Sequence, residues 1–113
     1  MFKLIATKDG GGPIMSVIQK SKNIPKDFIL YQNYPNPFNP NTIIKFKIKR
    51  TSDISLKIYN VGGKLIDGVF YKNVHTGEYE YEFDGKGLTS GVYFYRLSAD
   101  GNVEETKKML LVK

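Results

Sequence analysis

The chain has no cysteine, no tryptophan and a single histidine, His75. Without thiols, neither disulfides nor thiolate metal sites can hold the fold, and one imidazole excludes a multi-histidine metal centre. No apolar run approaches the length of a membrane span, so no transmembrane segment is expected. Met1 to Ala6 begins like a signal peptide, but the run stops at Thr7-Lys8-Asp9 with no small-residue cleavage site after it, so no export leader is expected. Helical periodicity is also missing from residue 28 onward.

What is present suits one soluble domain. The length is 113 residues, with 25% charged and 41% hydrophobic, an ordinary globular balance. The net charge of +6 raises anionic partners such as nucleic acid or lipopolysaccharide. The basic residues are spread along the chain, however, and the densest group, Lys45, Lys47 and Lys49, alternates with apolar residues. These lysines read as the solvated face of an edge strand, where lysine discourages edge-to-edge pairing, and no nucleic-acid partner is expected. Residues 1–27 are weakly patterned around Asp9-Gly10-Gly11-Gly12-Pro13 and read as a linker or the remnant of an upstream passenger domain.

The stretch Leu30 to Asn41 organises the remainder. Pro35, Pro37 and Pro40 alternate with Asn36 and Asn39, and Tyr34 and Phe38 sit among them. Proline fixes its own φ and pushes the preceding residue to extended geometry, while asparagine closes local turns. A stiff, non-helical loop follows, with Phe38 expected as a buried plug and Tyr31 and Tyr34 as surface rings.

Period-2 alternation marks the strands. Phe28 to Tyr31 is a short one; residues 42–49 put Ile44, Phe46 and Ile48 on one face; residues 54–60 do the same with Ile54, Leu56 and Ile58. Gly62 and Gly63 make a tight hairpin into Leu65 to Tyr71, with Gly68 a candidate bulge. After the turn at His75-Thr76-Gly77, residues 78–83 place Tyr79, Tyr81 and Phe83 inward and Glu78, Glu80 and Glu82 outward, facing cross-strand lysines. Residues 92–97 are apolar on nearly both faces, as in a central strand. A hairpin at Asp100-Gly101-Asn102 leads to a last strand, Val103 to Val112. The expected fold is all-β: an immunoglobulin-like antiparallel β-sandwich of about seven strands, with Tyr93 also in its core.

Catalytic and metal chemistry find no constellation. His75 lies in a turn with no nucleophile and orienting group beside it in pattern. The three glutamates share the outer face of one strand, Asp84-Gly85-Lys86-Gly87 lacks calcium-loop spacing, and Gly62-Gly63-Lys64 lacks the remainder of a phosphate loop. No enzyme activity and no cofactor are expected. Stacking of exposed tyrosines on sugars is a separate possibility, weighed against burial of Tyr79, Tyr81, Tyr93 and Tyr95 in strands.

Four motifs, in order, resemble the type A C-terminal sorting domain of proteins exported by the type IX secretion system of Bacteroidetes-like bacteria. Tyr34, Pro35, Asn36, Pro37 and Phe38 resemble its opening motif, and the strand-turn-strand Ile58 to Leu65, with Asn60, Gly63 and Lys64, resembles its central signature. Leu88 to Tyr93, with Gly91 and Tyr93, is similar to the motif ahead of its penultimate strand. Lys107, Lys108, Met109, Leu110, Leu111, Val112 and Lys113 resemble its terminal strand. The resemblance spans residues 28–113. It implies a non-catalytic secretion signal that carries a covalently attached upstream cargo across the outer membrane. The implied partners are the outer-membrane secretion machinery and a cell-surface sortase, and the implied route runs through the periplasm to the cell surface or the medium. Alternatives are a carbohydrate-binding or adhesive module, or a structural immunoglobulin-like domain. With 27 residues ahead of the match, the chain reads as the C-terminal part of a longer protein.

The signal is expected to concentrate in the last strand. Met109 to Val112 is apolar on both faces, so one face can pack while the other stays available. The strand could also pair with a partner through an accessible backbone edge, steered by Lys107, Lys108 and Lys113.

Overall fold

The computed structural model describes residues 27–113. The reading of residues 1–27 as a linker thus lies, but for Asp27, outside the described residues. Seven strands follow in order: β1 (Phe28–Leu30), β2 (Asn41–Ile48), β3 (Ser52–Asn60), β4 (Leu65–Val74), β5 (Gly77–Asp84), β6 (Gly91–Ala99) and β7 (Asn102–Leu111). They form two antiparallel sheets, β1-β2-β5 and β4-β3-β6-β7. The alternation seen in the sequence is the physical cause. On each strand one phase enters the space between the sheets and the other faces out.

The core fills with the residues the alternation selects. Ile44, Phe46, Ile48, Leu56, Ile58, Tyr81, Phe83 and Tyr93 are all buried, joined by Leu30, Tyr95, Leu97, Met109 and Leu111. Phe46 stacks on Tyr79 at 5.8 Å, and Phe38 meets the Phe83 ring edge-on at 6.0 Å.

Three details depart from the expectation. β2 is the middle strand of its sheet, between β1 and β5, so Lys45 and Lys47 do not guard an edge. Their register partners are Glu80 and Glu78, and opposite charge across the pair takes the place of edge protection. β1 covers the other side because the chain continues along β2 after Leu30: Tyr31 N–H donates to the Lys45 carbonyl, and Tyr34 exchanges backbone bonds with Ile43. Gly68 pairs regularly with Lys57; the register slips instead between Ser52 and Ile54 and between Ile58 and Tyr59, the latter leaving Ile66 as the extra residue. β4 also runs on to Val74, and the turn after it passes from one sheet to the other, because β4 pairs with β3 and β5 with β2. The β6–β7 hairpin closes as expected, with Asp100 and Gly101 at φ 50° and 85°, the left-handed pair of a two-residue turn.

Candidate functional site

The ends of β3, β5 and β7 and the starts of β2, β4 and β6 lie together, since Asn41 pairs with Asp84, Asn60 with Tyr93 and Gly91 with Leu111. Four segments far apart in the chain therefore meet at one end of the sandwich: the proline loop, the 60–64 turn, the 85–91 loop and the end of β7.

The proline loop docks from inside. Phe38 is 2% exposed and is held by backbone bonds on both sides: its N–H donates to the Leu110 carbonyl, and its carbonyl accepts from Val112 N–H, each at 2.9 Å. Asn36 Oδ1 accepts the Leu110 N–H at 3.0 Å, and Gln32 Nε2 donates to the Lys108 carbonyl at 2.7 Å. The outward edge of β7 from Lys108 to Val112 is therefore occupied by the chain's own loop. This corrects the expectation of an accessible terminal edge: β7 is last in its sheet, but the loop supplies the missing neighbour. Gly85 seals the joint. A Cβ there would sit 3.2 Å from the Pro40 carbonyl oxygen and 3.3 Å from both Leu111 and Phe38.

A buried polar network supports the loop from beneath. The Tyr95 hydroxyl donates to the Tyr31 carbonyl and accepts from Asn33 N–H, both at 2.8 Å. Asn33 Nδ2 donates to Thr42 Oγ1 at 3.0 Å and to the Pro35 carbonyl at 3.1 Å, and Thr42 Oγ1 donates to that same carbonyl at 2.8 Å. Burial pushes the Tyr95 phenol up to about 12; the bond from Asn33 works against this rise and the charge of Glu105 adds to it. Burial likewise raises Tyr81, whose hydroxyl donates to Asp67 at 3.0 Å. Of the residues in the network, Asn33, Thr42 and Tyr95 escaped the motif reading. The signal for Thr42 was available: it is a polar residue in the inward phase of β2.

The other two segments are pinned by single side chains. Asn60 Oδ1 accepts from both Gly62 N–H and Lys64 N–H at 2.9 Å, which shapes the turn; Gly63 turns at φ 87°, a conformation glycine adopts without strain. The Tyr93 hydroxyl donates to the Thr89 carbonyl at 2.7 Å, and Ser90 Oγ accepts from Lys113 N–H at 3.0 Å. Ser90 was not singled out in the sequence, although it joins the third segment to the fourth.

The motif residues thus divide into two kinds. Phe38, Tyr93, Met109 and Leu111 are buried, while Tyr34, Leu110 and Val112 are exposed at 80%, 37% and 46%. Pro35, Asn36, Pro37, Gly63, Lys64, Lys108 and Lys113 are exposed as well. The three lysines do not form one patch: Lys107 lies in the inward phase of β7 and pairs with Glu105 at 3.2 Å, whereas Lys108 faces out. Two depressions mark this end. One, of about 350 Å³, lies between the 60–61 turn and residues 87–93; the other, of about 310 Å³, lies between Asn36, Lys108 and Leu110, and Val92 lines both. Tyr79, Tyr81, Tyr93 and Tyr95 are buried, so their rings are not available to stack on sugars; Tyr31 and Tyr34 are exposed, as is Phe70. Among the described residues no helix is long and apolar enough to cross a membrane, and no group of three or more acidic, histidine or cysteine side chains could hold a metal ion.

Fold and site together define a two-sheet antiparallel β-sandwich module with four distant segments assembled at one end. Residues 32–113 match the family described as the secretion system C-terminal sorting domain, and the chain belongs to that family. It is a C-terminal sorting signal of type IX secretion. Membership implies a cargo attached upstream, the type IX machinery as partner, and export to the cell surface or secretion. No curated protein matches the chain. Among solved structures, the crystal structure of dimeric latent PorU from Porphyromonas gingivalis is similar, with a TM-score of 0.61 and 20% identity over 78% of this chain and 10% of that one. At that identity the likeness concerns the fold, and the chain spans about a tenth of that protein's length.

Proposed function

We propose that the assembled end of the sandwich is the surface the outer-membrane secretion machinery reads. In this reading residues 28–113 form the sorting domain and residues 1–27 the linker or remnant of the passenger domain. The domain passes through the periplasm with its cargo and is then removed by a cell-surface sortase. The domain itself is a recognition module and no catalyst. The observation that carries this is the convergence of the four motifs, Tyr34 to Phe38, Asn60 to Lys64, Gly91 to Tyr93 and Lys107 to Lys113, around Leu110 and Val112. Their buried members build the surface; Leu110 and Val112 present apolar side chains on it, in place of a bare strand edge.

Removing Met109 to Lys113 would be a poor test, because Met109 and Leu111 are almost fully buried and their loss would unfold the domain. The better variant changes Leu110 and Val112 to aspartate together. The whole chain is fused to an exported reporter in a host that has the secretion machinery. The variant is expected to fold and to leave its reporter in the periplasm. A folded variant that still delivers the reporter to the surface overturns the reading. The seven strands of the described residues form both sheets within 28–113, and a chain beginning at residue 27 is expected to melt at an unchanged midpoint.

A further inference from the structure

Among the described residues, the outward face of β4-β3-β6-β7 carries cations that form no ion pair. Cross-strand register places Lys57 opposite Arg96, with Gly68 and Thr106 flanking them, and Tyr59 opposite Phe94, with Leu65 and Lys108 flanking them. None of these positions is a carboxylate. Among the described residues, Lys57, Lys64, Arg96 and Lys108 form no ion pair, and neither does Glu104 on β7. Like charge gathered on one face without ion pairs favours an acidic partner.

Arg96 gives this face its shape. Its guanidinium carbon lies over the Tyr59 ring, 4.8 Å from the centroid, a cation–π contact that holds the group in place. Its Nε is enclosed and has no acceptor. Arg96 also lines a depression of about 340 Å³, together with Tyr59, Asn60, Val61, Phe94 and Thr106. Val61, in its lining, is 76% exposed, and Leu65, the register partner of Tyr59, is 52% exposed. A guanidinium in an aromatic-walled hollow, with Val61 and Leu65 beside it, fits a carboxylate carried among apolar neighbours.

We propose that this hollow receives an aspartate or glutamate side chain from a partner protein, and that Arg96 is the residue that recognises it. The inference deepens the sorting reading by naming the chemistry of the partner's contact, and it places that contact beside the assembled end, which shares Asn60 and Val61 with it. A protein fits better than an anionic glycan. The ring face of Tyr59 that Arg96 covers cannot stack on a sugar, and the exposed Val61 and Leu65 match apolar side chains rather than hydroxyls.

The test uses the full chain, labelled for NMR, titrated with the peptide acetyl-Leu-Glu-Phe-Glu-Leu-amide and, separately, with sulfated dextran. Saturable shifts at Arg96, Tyr59 and Phe94 with the peptide, weakened about tenfold in Arg96→Gln, support the proposal. Arg96→Lys is expected to recover little of the loss, since ammonium cannot reproduce the flat, two-pronged donor. No saturable shift with the peptide, or shifts with the dextran alone, overturns it. In the reporter assay, Arg96→Gln is expected to lower surface delivery while the domain stays folded. Delivery by Arg96→Gln equal to wild type overturns this proposal and leaves the sorting reading standing. Failure of the wild-type fusion itself would count against the sorting reading instead.

Discussion

Phe38 and Leu111 lie side by side as a parallel bridge, the loop residue buried against the strand residue. A loop that precedes every long strand thereby becomes the outer neighbour of the last one. The domain is closed on itself: the first motif in the chain cannot take its place until the last one has been made.

Truncation of Phe38 measures this closure. Phe38→Ala is expected to destabilise the domain by about 3–5 kcal/mol, the usual cost of deleting a fully buried ring. The melting midpoint checks it. An unchanged midpoint would mean that the ring does not anchor the loop.

Asn36 tests the polar half of the same joint. Asn36→Ala removes the acceptor of the Leu110 N–H and is expected to cost about 0.5–1.5 kcal/mol. Amide hydrogen exchange should speed up at Leu110 more than at Tyr93 or Leu97, deeper in the sheet. Unchanged protection at Leu110 would show that the Asn36 bond does not hold the edge.

Two glycines should differ in cause. Gly85→Ala forces a methyl against the Pro40 carbonyl, Leu111 and Phe38 at 3.2–3.3 Å, so a loss on the order of 1–3 kcal/mol is expected from overpacking. Gly63→Ala meets no atom within 4 Å but keeps φ at +87°, and its loss should be roughly 1–2 kcal/mol from backbone strain alone. Asparagine, which tolerates that conformation, is expected to rescue position 63 and to fail at position 85. Denaturant midpoints of the four variants decide it.

Alkaline stability should follow Tyr95. Its phenol titrates near pH 10 when unfolded and at about 12 in the fold, so between these values the unfolded chain holds fewer protons than the native one. The stabilisation is complete below pH 10 and is lost as pH rises toward 12. Tyr81, also raised, adds to the loss. Tyr95→Phe is expected to be less stable at neutral pH by about 1–3 kcal/mol, because the enclosed Asn33 N–H loses its acceptor. Its stability should also fall less steeply from pH 10 to 12. Equal slopes for the variant and the wild type would refute the assignment.

The strands and the core were legible in the sequence because side-chain alternation is a local property. Ile44, Phe46 and Ile48 on β2, like Tyr79, Tyr81 and Phe83 on β5, announce their buried face to any reader who counts by two. The turns were legible for the same reason, since Asp100-Gly101 and Gly62-Gly63 carry their backbone geometry in their own residue types. The motifs of the assembled end could be found one by one along the chain. Which strands become neighbours is a different matter, because alternation fixes a strand's face and leaves its edges unspecified. Only the folded sandwich put β2 in the middle of its sheet, passed the chain from one sheet to the other after β4, and laid Gln32, Asn36 and Phe38 along the edge of β7. Edge pairing is made of backbone bonds between segments distant in sequence, and backbone bonds carry no residue signature. The same holds for Arg96. As one arginine in an apolar strand it was unremarkable in the sequence, and it became the wall of a hollow when β3 brought Tyr59 beneath it.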